Sequence, residues 1–276
     1  DIAKPECAVM TNIGTSHIAQ LKTRENIRKE KLCIVHHFVT GSSLFLNGND
    51  RLLQETATQI TQKSLTIDCN KDTYAALEKA MAVTYGIAEG QGGDFDFSAK
   101  CIRTTEHGTQ FIAVYQENGS LKELPVELKV YGEHNVMNAL AALAVAKKYG
   151  IEPETAAEGL RAYEPIAMRG QIKSKDGITW IDDTYNASPD SMKSGLQVLL
   201  SLEHGRRRVA VFADVMELGE QSEQLHRSVG IYLAELEKEG RKVDLLVTTG
   251  KEAAYIAEEA KKSKSLSVVS LDSNAK

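Results

Sequence analysis

The sequence predicts an α/β protein in two parts, a mixed sheet with an antiparallel meander followed by a parallel α/β region. Two observations carry this reading. Residues 93–131 alternate apolar and polar side chains (Phe95 and Phe97; Phe111, Ala113 and Tyr115; Val126, Leu128 and Val130), with turns at Glu106-His107-Gly108 and Glu117-Asn118-Gly119 between the runs. Beyond Tyr163-Glu164-Pro165, strand-like runs at about 178–183, 207–213, 243–248 and 266–271 alternate with helical patterns at about 189–202, 222–237 and 251–263. That rhythm is the signature of a parallel sheet with helices packed on its faces. The change of character places a domain boundary near 167–170.

The remaining elements follow in order. Cys7–Met10 reads as a short buried strand leading into the turn-like Thr11-Asn12-Ile13-Gly14. A charged helix is expected over 23–37, short strands over 43–46 and 65–67, and a helix over 73–85. Val136, Leu140 and Leu143 recur at helical spacing over 135–148, with Lys147 and Lys148 in the last turn and Gly150 after it. Pro153 opens a further short helix. In the second part Ser188 suits an N-cap and Pro189 the first helical position, where its missing N–H costs nothing. Met192, Leu196, Leu199 and Leu200 then supply the apolar stripe.

Bulk properties exclude several classes. The 276 residues are 42% hydrophobic and 26% charged, which is ordinary for a globular chain. A net charge of −5 argues against a generic binder of nucleic acid or anionic membranes. No apolar run is long enough to span a bilayer and no signal peptide is recognisable. Cys7, Cys33, Cys69 and Cys101 lie far apart with no C-x-x-C pair, so a reduced, cytoplasmic protein is the simplest expectation. The chain opens without a methionine and stops soon after its last strand, and the expectation is that both ends lie inside a larger protein.

Six segments could carry chemistry. Gly14-x-x-His17 follows a strand end, and a neutral imidazole there could ligate a metal. Lys31 lies in Arg28-Lys29-Glu30-Lys31, ordinarily a solvated helix face, but Leu32, Cys33, Ile34 and Val35 follow as the helix enters the core. Asn135 and Asn138 share a helix face after Gly132, and an amide offers the donor and acceptor that the edge of an adenine presents in return. Arg169 falls at the domain joint, where a guanidinium could grip a phosphate bidentately. Asp182-Asp183-Thr184-Tyr185-Asn186 lines a strand-to-helix junction, the edge at which open α/β sheets bind ligands and at which free N–H groups favour an anion. Asp214, Glu217 and Glu220 occupy a second loop of this kind, with His226 in the following helix. No Gly-x-x-x-x-Gly-Lys-Ser/Thr run occurs in the chain, and no Gly-x-Gly-x-x-Gly turn, which excludes a nicotinamide-dependent oxidoreductase on the usual pattern.

Taken together, Thr11-Asn12-Ile13-Gly14-x-x-His17, the Glu25 to Lys31 helix, Gly132-x-His134-Asn135-x-x-Asn138-Ala139-Leu140-Ala141-Ala142, Arg169-Gly170, Asp182 to Met192 and Asp214-Val215-Met216-Glu217-Leu218-Gly219-Glu220 resemble the Mur ligase family, and within it the MurF type. The resemblance implies that residues 1–168 are the later part of the family's central ATP-binding domain. It implies that 169–276 form its C-terminal Rossmann-like ligase domain, truncated at its end. It implies ATP and Mg²⁺ as cofactors, UDP-N-acetylmuramoyl-tripeptide and D-alanyl-D-alanine as partners, and a monomer in the full-length form. His17 and Lys31, the latter once carbamylated, are then expected as metal ligands. Lys31, His17 and Arg169 are expected to serve catalysis, and Asn138, Arg169, Asp183, Tyr185 and Asn186 to contact the nucleotide. The Asp214 to Glu220 loop is expected only to reach the cleft, near the amine substrate.

The departures have consequences. The family's P-loop and sugar-nucleotide domain have no counterpart in these residues, so the 276-residue chain by itself is not expected to ligate. Asn47-Gly48-Asn49-Asp50 replaces the family's paired aspartates, which leaves Asp50 without an assigned role. Other amide ligases of the superfamily, of the folylpolyglutamate or cyanophycin kind, and a non-catalytic nucleotide-binding scaffold are the alternatives. Tyr185-Asn186 and Met216 to Glu220 weigh against the first, and the intact His17, Lys31, Asn138, Arg169 and Asp183 against the second.

Overall fold

The computed structural model describes residues 4–16, 18–88, 90, 94–202 and 206–272. Its internal contacts divide the chain into two units, Asp1–Ile13 with Thr23–Glu164, and Gly14–Lys22 with Pro165–Lys276.

The first unit is built on a six-stranded sheet in the order β1 (Cys7–Met10), β2 (Ser43–Asn47), β3 (Met81–Ile87), β4 (Phe97–Thr105), β5 (Gly108–Glu117) and β6 (Ser120–Leu128). The first four strands run parallel and the last three form the expected antiparallel meander. Ser43, Leu44, Phe45 and Leu46 are all buried, as a parallel strand covered on both faces must be. Helix α5 (Glu133–Lys148) packs Val136, Leu140 and Leu143 against Phe45, Tyr85, Phe97 and Phe111. Each such side chain contributes roughly 1.5–3 kcal/mol by leaving water. The Tyr85 hydroxyl inside this core donates to Met10 O at 3.0 Å. Burial pushes its pKa well above the tyrosine range. Gly132, at φ +94°, starts α5 without a side-chain cap.

Three local expectations fail here. The 73–85 stretch is not one helix: α4 (Lys71–Leu77), capped by Asn70, stops and β3 begins at Met81. The alanines mimic a helix, but Val83, Thr84 and Tyr85 are strand formers and pairing with β2 decides the outcome. Residues 65–67 form no strand; Thr66 N is held by the Gln59 side chain instead. A helix absent from the sequence reading, α3 (Arg51–Thr61), follows β2, buries Leu52, Leu53, Thr56, Ala57 and Ile60, and packs on β2 and β3. The charged helix, α2 (Arg24–Leu32), is shorter than expected and passes into a 3₁₀ turn, Cys33–Val35.

The second unit opens with a two-stranded antiparallel hairpin, β7 (Gln171–Lys175) and β8 (Ile178–Asp182). Asp176 and Gly177 turn it with φ of +52° and +76°, the signs a tight two-residue hairpin requires. The expectation that 178–183 lies in the parallel sheet is therefore corrected. That sheet has the order β11 (Ser267–Leu271), β10 (Leu245–Thr249), β9 (Val209–Ala213). Helices α7 (Pro189–Ser201), α8 (Ser222–Lys238) and α9 (Ala254–Ala260) accompany it, α8 packing on both of the others. The short helix α1 (Ile18–Leu21) belongs to this unit by its contacts and rests on the 3₁₀ turn Gly219–Gln221. Ala19 N donates to Glu217 O at 3.4 Å, and a Cβ on Gly219 would stand 2.9 Å from that of Ala19.

His226, fully buried on α8, fastens the Asp214 to Glu220 loop. Its Nε2 accepts from Val215 N at 3.0 Å, and its Nδ1 lies 2.8 Å from Ser222 O, to which it donates. Those bonds require the neutral ring. Ser222 Oγ donates to Glu252 at 2.5 Å, so Ser222, His226 and Glu252 form a network. With Nε2 already taken by a backbone N–H inside the core, the network is structural and not a nucleophile–base array.

Two stability outcomes follow. A Cβ at Gly108 (φ +142°) would lie 1.8 Å from Leu128 O, whereas Gly119 (φ +77°) faces open space. Gly108→Ala is expected to lower stability in urea by about 2–4 kcal/mol and Gly119→Ala by only about 1–2 kcal/mol. His226→Ala strands the Val215 N–H and is expected to destabilise the second unit by about 1–3 kcal/mol, with faster hydrogen exchange at Val215.

Candidate functional site

In the first unit, the chemistry gathers where β1 ends. Four backbone groups of Thr11 to Ile13, three carbonyls and one N–H, meet side chains from other elements there. Asn47 Nδ2, at the end of β2, donates to Thr11 O at 2.7 Å. Lys31 Nζ, in the last turn of α2, donates to Asn12 O at 2.9 Å. Asp50 Oδ2 accepts from Ile13 N at 2.8 Å, and Arg24 Nε donates to Ile13 O at 2.7 Å. Asp50 is also the N-cap of α3, its Oδ1 accepting from Leu52 N at 3.0 Å and Leu53 N at 3.2 Å. Arg24 closes the ring with an ion pair to Asp50 at 3.3 Å.

Lys31 thus stands beside a backbone carbonyl and near a carboxylate. Loss of water around its head group pulls its pKa below the usual lysine range, and the charge of Asp50 opposes that shift. His17, expected as its metal-binding companion, lies outside the described residues. Among the described residues no three of His, Cys, Asp and Glu converge to hold a metal ion. Lys31 as an ammonium repels a cation, so the donors described do not make a metal site as they stand.

Asn135 and Asn138 separate. Asn135 Nδ2 donates to Tyr131 O at 2.8 Å and lies 3.1 Å from His134 Nε2, which ties down the start of α5. That helix begins at Glu133, two residues before the expected start. Asn138 is exposed one turn later, and no hydrogen bond engages its side chain among the described residues.

In the second unit, the Arg169 guanidinium lies over the Tyr185 ring at 3.9 Å from its centroid. Tyr185 N donates to Met168 O at 3.2 Å, so the turn before β7 and the loop after β8 are joined twice. Met168 holds φ +64° and Gly170 φ +66°, an unusual pair that turns the chain around Arg169. Tyr185 remains 62% exposed, leaving its other face open.

The adjacent aspartates are used differently. Asp182 accepts from Lys173 Nζ at 2.9 Å across the hairpin and from Thr184 Oγ1 at 2.8 Å. These bonds hold its carboxyl below the usual range. Asp183 is exposed and without hydrogen bond or ion pair among the described residues. Asn186 Oδ1 accepts from Ala187 N at 2.9 Å. Ser188 and Ser191 then form a reciprocal capping box with Pro189 in the first turn of α7. The expected strand–loop–helix junction is therefore present. Asp183, Thr184, Tyr185 and Asn186 are all exposed there.

Asp214 is otherwise engaged than a free cleft carboxylate. Its Oδ1 accepts from Ala253 N at 2.7 Å, and it lies so close to Gly250 that a Cβ there would come within 2.2 Å. It ties the loop after β9 to the turn after β10, which is why α9 begins only at Ala254. Sequence reasoning left Asp50, Asn47 and Arg24 without a role. The available signal was Asp50 before Arg51-Leu52-Leu53, a helix start marked by its cap.

The Mur ligase middle domain matches residues 1–146, and the Mur ligase glutamate ligase domain matches residues 168–275. UDP-N-acetylmuramoyl-tripeptide–D-alanyl-D-alanine ligase of Bacillus subtilis (strain 168) is 34% identical over 262 residues, 95% of this chain and 50% of that protein. The enzyme of the same name from Mycobacterium leprae (strain TN) is 29% identical over 83% of this chain and 44% of its own length. A crystal structure of MurF from Acinetobacter baumannii superposes with a TM-score of 0.76 at 27% identity, covering 98% of this chain and 57% of that one. The chain spans about half the length of the curated relatives it matches. Two domain models in the family's order, covering nearly all of its residues, place it: the chain belongs to the Mur ligase family.

Proposed function

We propose that this chain is the ATP-handling and amine-accepting portion of a MurF-type ligase, with 1–168 from the central domain and 169–276 from the C-terminal domain. The reaction joins D-alanyl-D-alanine to UDP-N-acetylmuramoyl-tripeptide in peptidoglycan synthesis. The similarity to ligases of that name over 95% of the chain is the observation that carries it. No helix among the described residues is long and apolar enough to cross a membrane.

In the proposed reaction the tripeptide carboxylate attacks the γ-phosphorus of ATP, and ADP leaves. The resulting acyl phosphate is attacked by the dipeptide amine, and the tetrahedral adduct expels phosphate. Arg169, whose planar fork is presented from a tight turn, offsets charge on the transferring phosphoryl group. Asp183, free at the junction before α7, Tyr185 through the open face of its ring, and Asn186 beside them contact the nucleotide. Asn138, free on α5, reads the adenine edge. His17, and Lys31 once its amine had been carbamylated by CO₂, would hold a magnesium ion, which would supply charge neutralisation at phosphate.

Asp183→Ala in the complete ligase is expected to lower kcat/KM for ATP about 10- to 100-fold, the loss of one charged hydrogen bond, and to spare the melting temperature. Asp182→Ala is expected to lower the melting temperature, since it removes the Lys173 partner. Equal kinetic effects of both would remove Asp183 from the site. The 276-residue chain alone is expected to release no phosphate from ATP when given tripeptide and dipeptide; release coupled to both substrates would refute that division of labour.

A further inference from the structure

The Asn12 C=O and the Ile13 N–H belong to one peptide group. Lys31 Nζ donates to the carbonyl at 2.9 Å, and Asp50 Oδ2 accepts from the N–H at 2.8 Å. A peptide unit is planar, with its N–H and C=O pointing in opposite directions. Fixing one end therefore fixes the direction of the other. A carboxylate on the N–H also draws the peptide dipole toward the carbonyl oxygen and strengthens the bond that oxygen accepts.

We propose that Asp50 is a positioning residue of this enzyme, setting the place of the Lys31 head group through the peptide between Asn12 and Ile13. The claim rests on the ligase reading for its kinetic consequence and on the geometry alone for the coupling. Asp50 is suited to the task because its side chain is only 8% exposed and both of its oxygens are engaged. Oδ1 anchors it to the first turn of α3 through Leu52 N and Leu53 N, so Oδ2 is presented to Ile13 N from a rigid mount. Arg24 completes the hold, donating to the Ile13 carbonyl and to Asp50 Oδ2. The arrangement joins the end of β1, the start of α3 and both ends of α2 around one peptide. Lys31 has no other polar contact among the described residues, so this peptide determines where its Nζ rests. The role is separable from helix capping, since a single oxygen would serve for the cap.

The separation supplies the test. Asp50→Ser retains an N-cap oxygen but cannot reach Ile13; Asp50→Asn retains the shape and can set a donor against the Ile13 N–H. In the complete ligase, both are expected to accelerate hydrogen exchange of the Ile13 amide by about tenfold or more, the weight of a charged hydrogen bond. Both are expected to raise acetylation of Lys31 by acetic anhydride relative to Lys29, read by peptide mass spectrometry. Turnover is expected to fall about 10- to 100-fold for a displaced catalytic group, with KM for D-alanyl-D-alanine within about twofold. A folded Asp50→Ser protein with unchanged Ile13 exchange and unchanged Lys31 labelling overturns the coupling. Turnover within twofold of wild type, with the exchange accelerated, overturns the functional role. Wild-type protein without ligase activity overturns the ligase reading instead, and the exchange and labelling results then decide the coupling by themselves.

Discussion

A backbone that leaves the edge of a sheet must find a partner for each buried N–H and C=O, and at the end of β1 this requirement organises the first unit. Strand pairing ends at Met10, yet the chain cannot turn into solvent, because Ile13 is completely buried. Asn47, Lys31, Asp50 and Arg24 meet the demand from β2, α2 and the cap of α3. The same contacts fix how α2 and α3 lie against the strand ends. Local backbone satisfaction and the placement of Lys31 are thus one constraint: a change that disturbs the loop disturbs the lysine.

The requirement also separates groups spent on the fold from groups available to a ligand. Three pairs of like residues divide in this way. Asp182 is consumed by Lys173 and Thr184 while Asp183 is open. Asn135 holds the Tyr131 carbonyl while Asn138 is open. Asp214 is bound to the start of α9, although its position after a strand resembles that of Asp183. Because an unsatisfied polar group costs little in water and much in a closed site, open groups beside satisfied ones are the ones a ligand can recruit. Residue type and spacing cannot make that distinction; the hydrogen bonds of the neighbours do.

Much of the architecture was legible because it depends on local patterns. The meander showed in the alternation around Phe111, Ala113 and Tyr115, and α7 in Ser188 and Pro189. What failed depended on partners distant in sequence. Nothing local distinguishes Val83-Thr84-Tyr85 from the end of a helix until β2 lies alongside. The β7–β8 hairpin was within reach, since Asp176-Gly177 is a two-residue turn signal, but the rhythm of the later strands drew β8 into the wrong sheet. Arg169 and Tyr185 could be chosen one at a time as site residues, whereas their stacking could not be read. Asp50 failed for another reason: judged against a paired-aspartate pattern it seemed a remnant, and its four donors come from Ile13, Arg24, Leu52 and Leu53, two of them far away in the chain.

Magnitudes explain why the candidate groups of the two units are built differently. An Arg over an exposed aromatic ring gains about 0.5–1 kcal/mol, little enough for a phosphate to outbid with a bidentate contact. Arg169 over Tyr185 is therefore held in a defined place but remains free to exchange partners, as the proposed contact with a transient anion requires. Asp50 is in the opposite position. A nearly buried carboxylate stripped of one donor loses about 1.5–3 kcal/mol, and no ligand offers a replacement N–H at that point. A group so engaged cannot follow a substrate through a reaction, but it can keep a reference frame fixed while others move. In the proposed reaction the stacked arginine would suit the changing charge of the phosphoryl group, and the anchored carboxylate would suit a lysine whose place must not change.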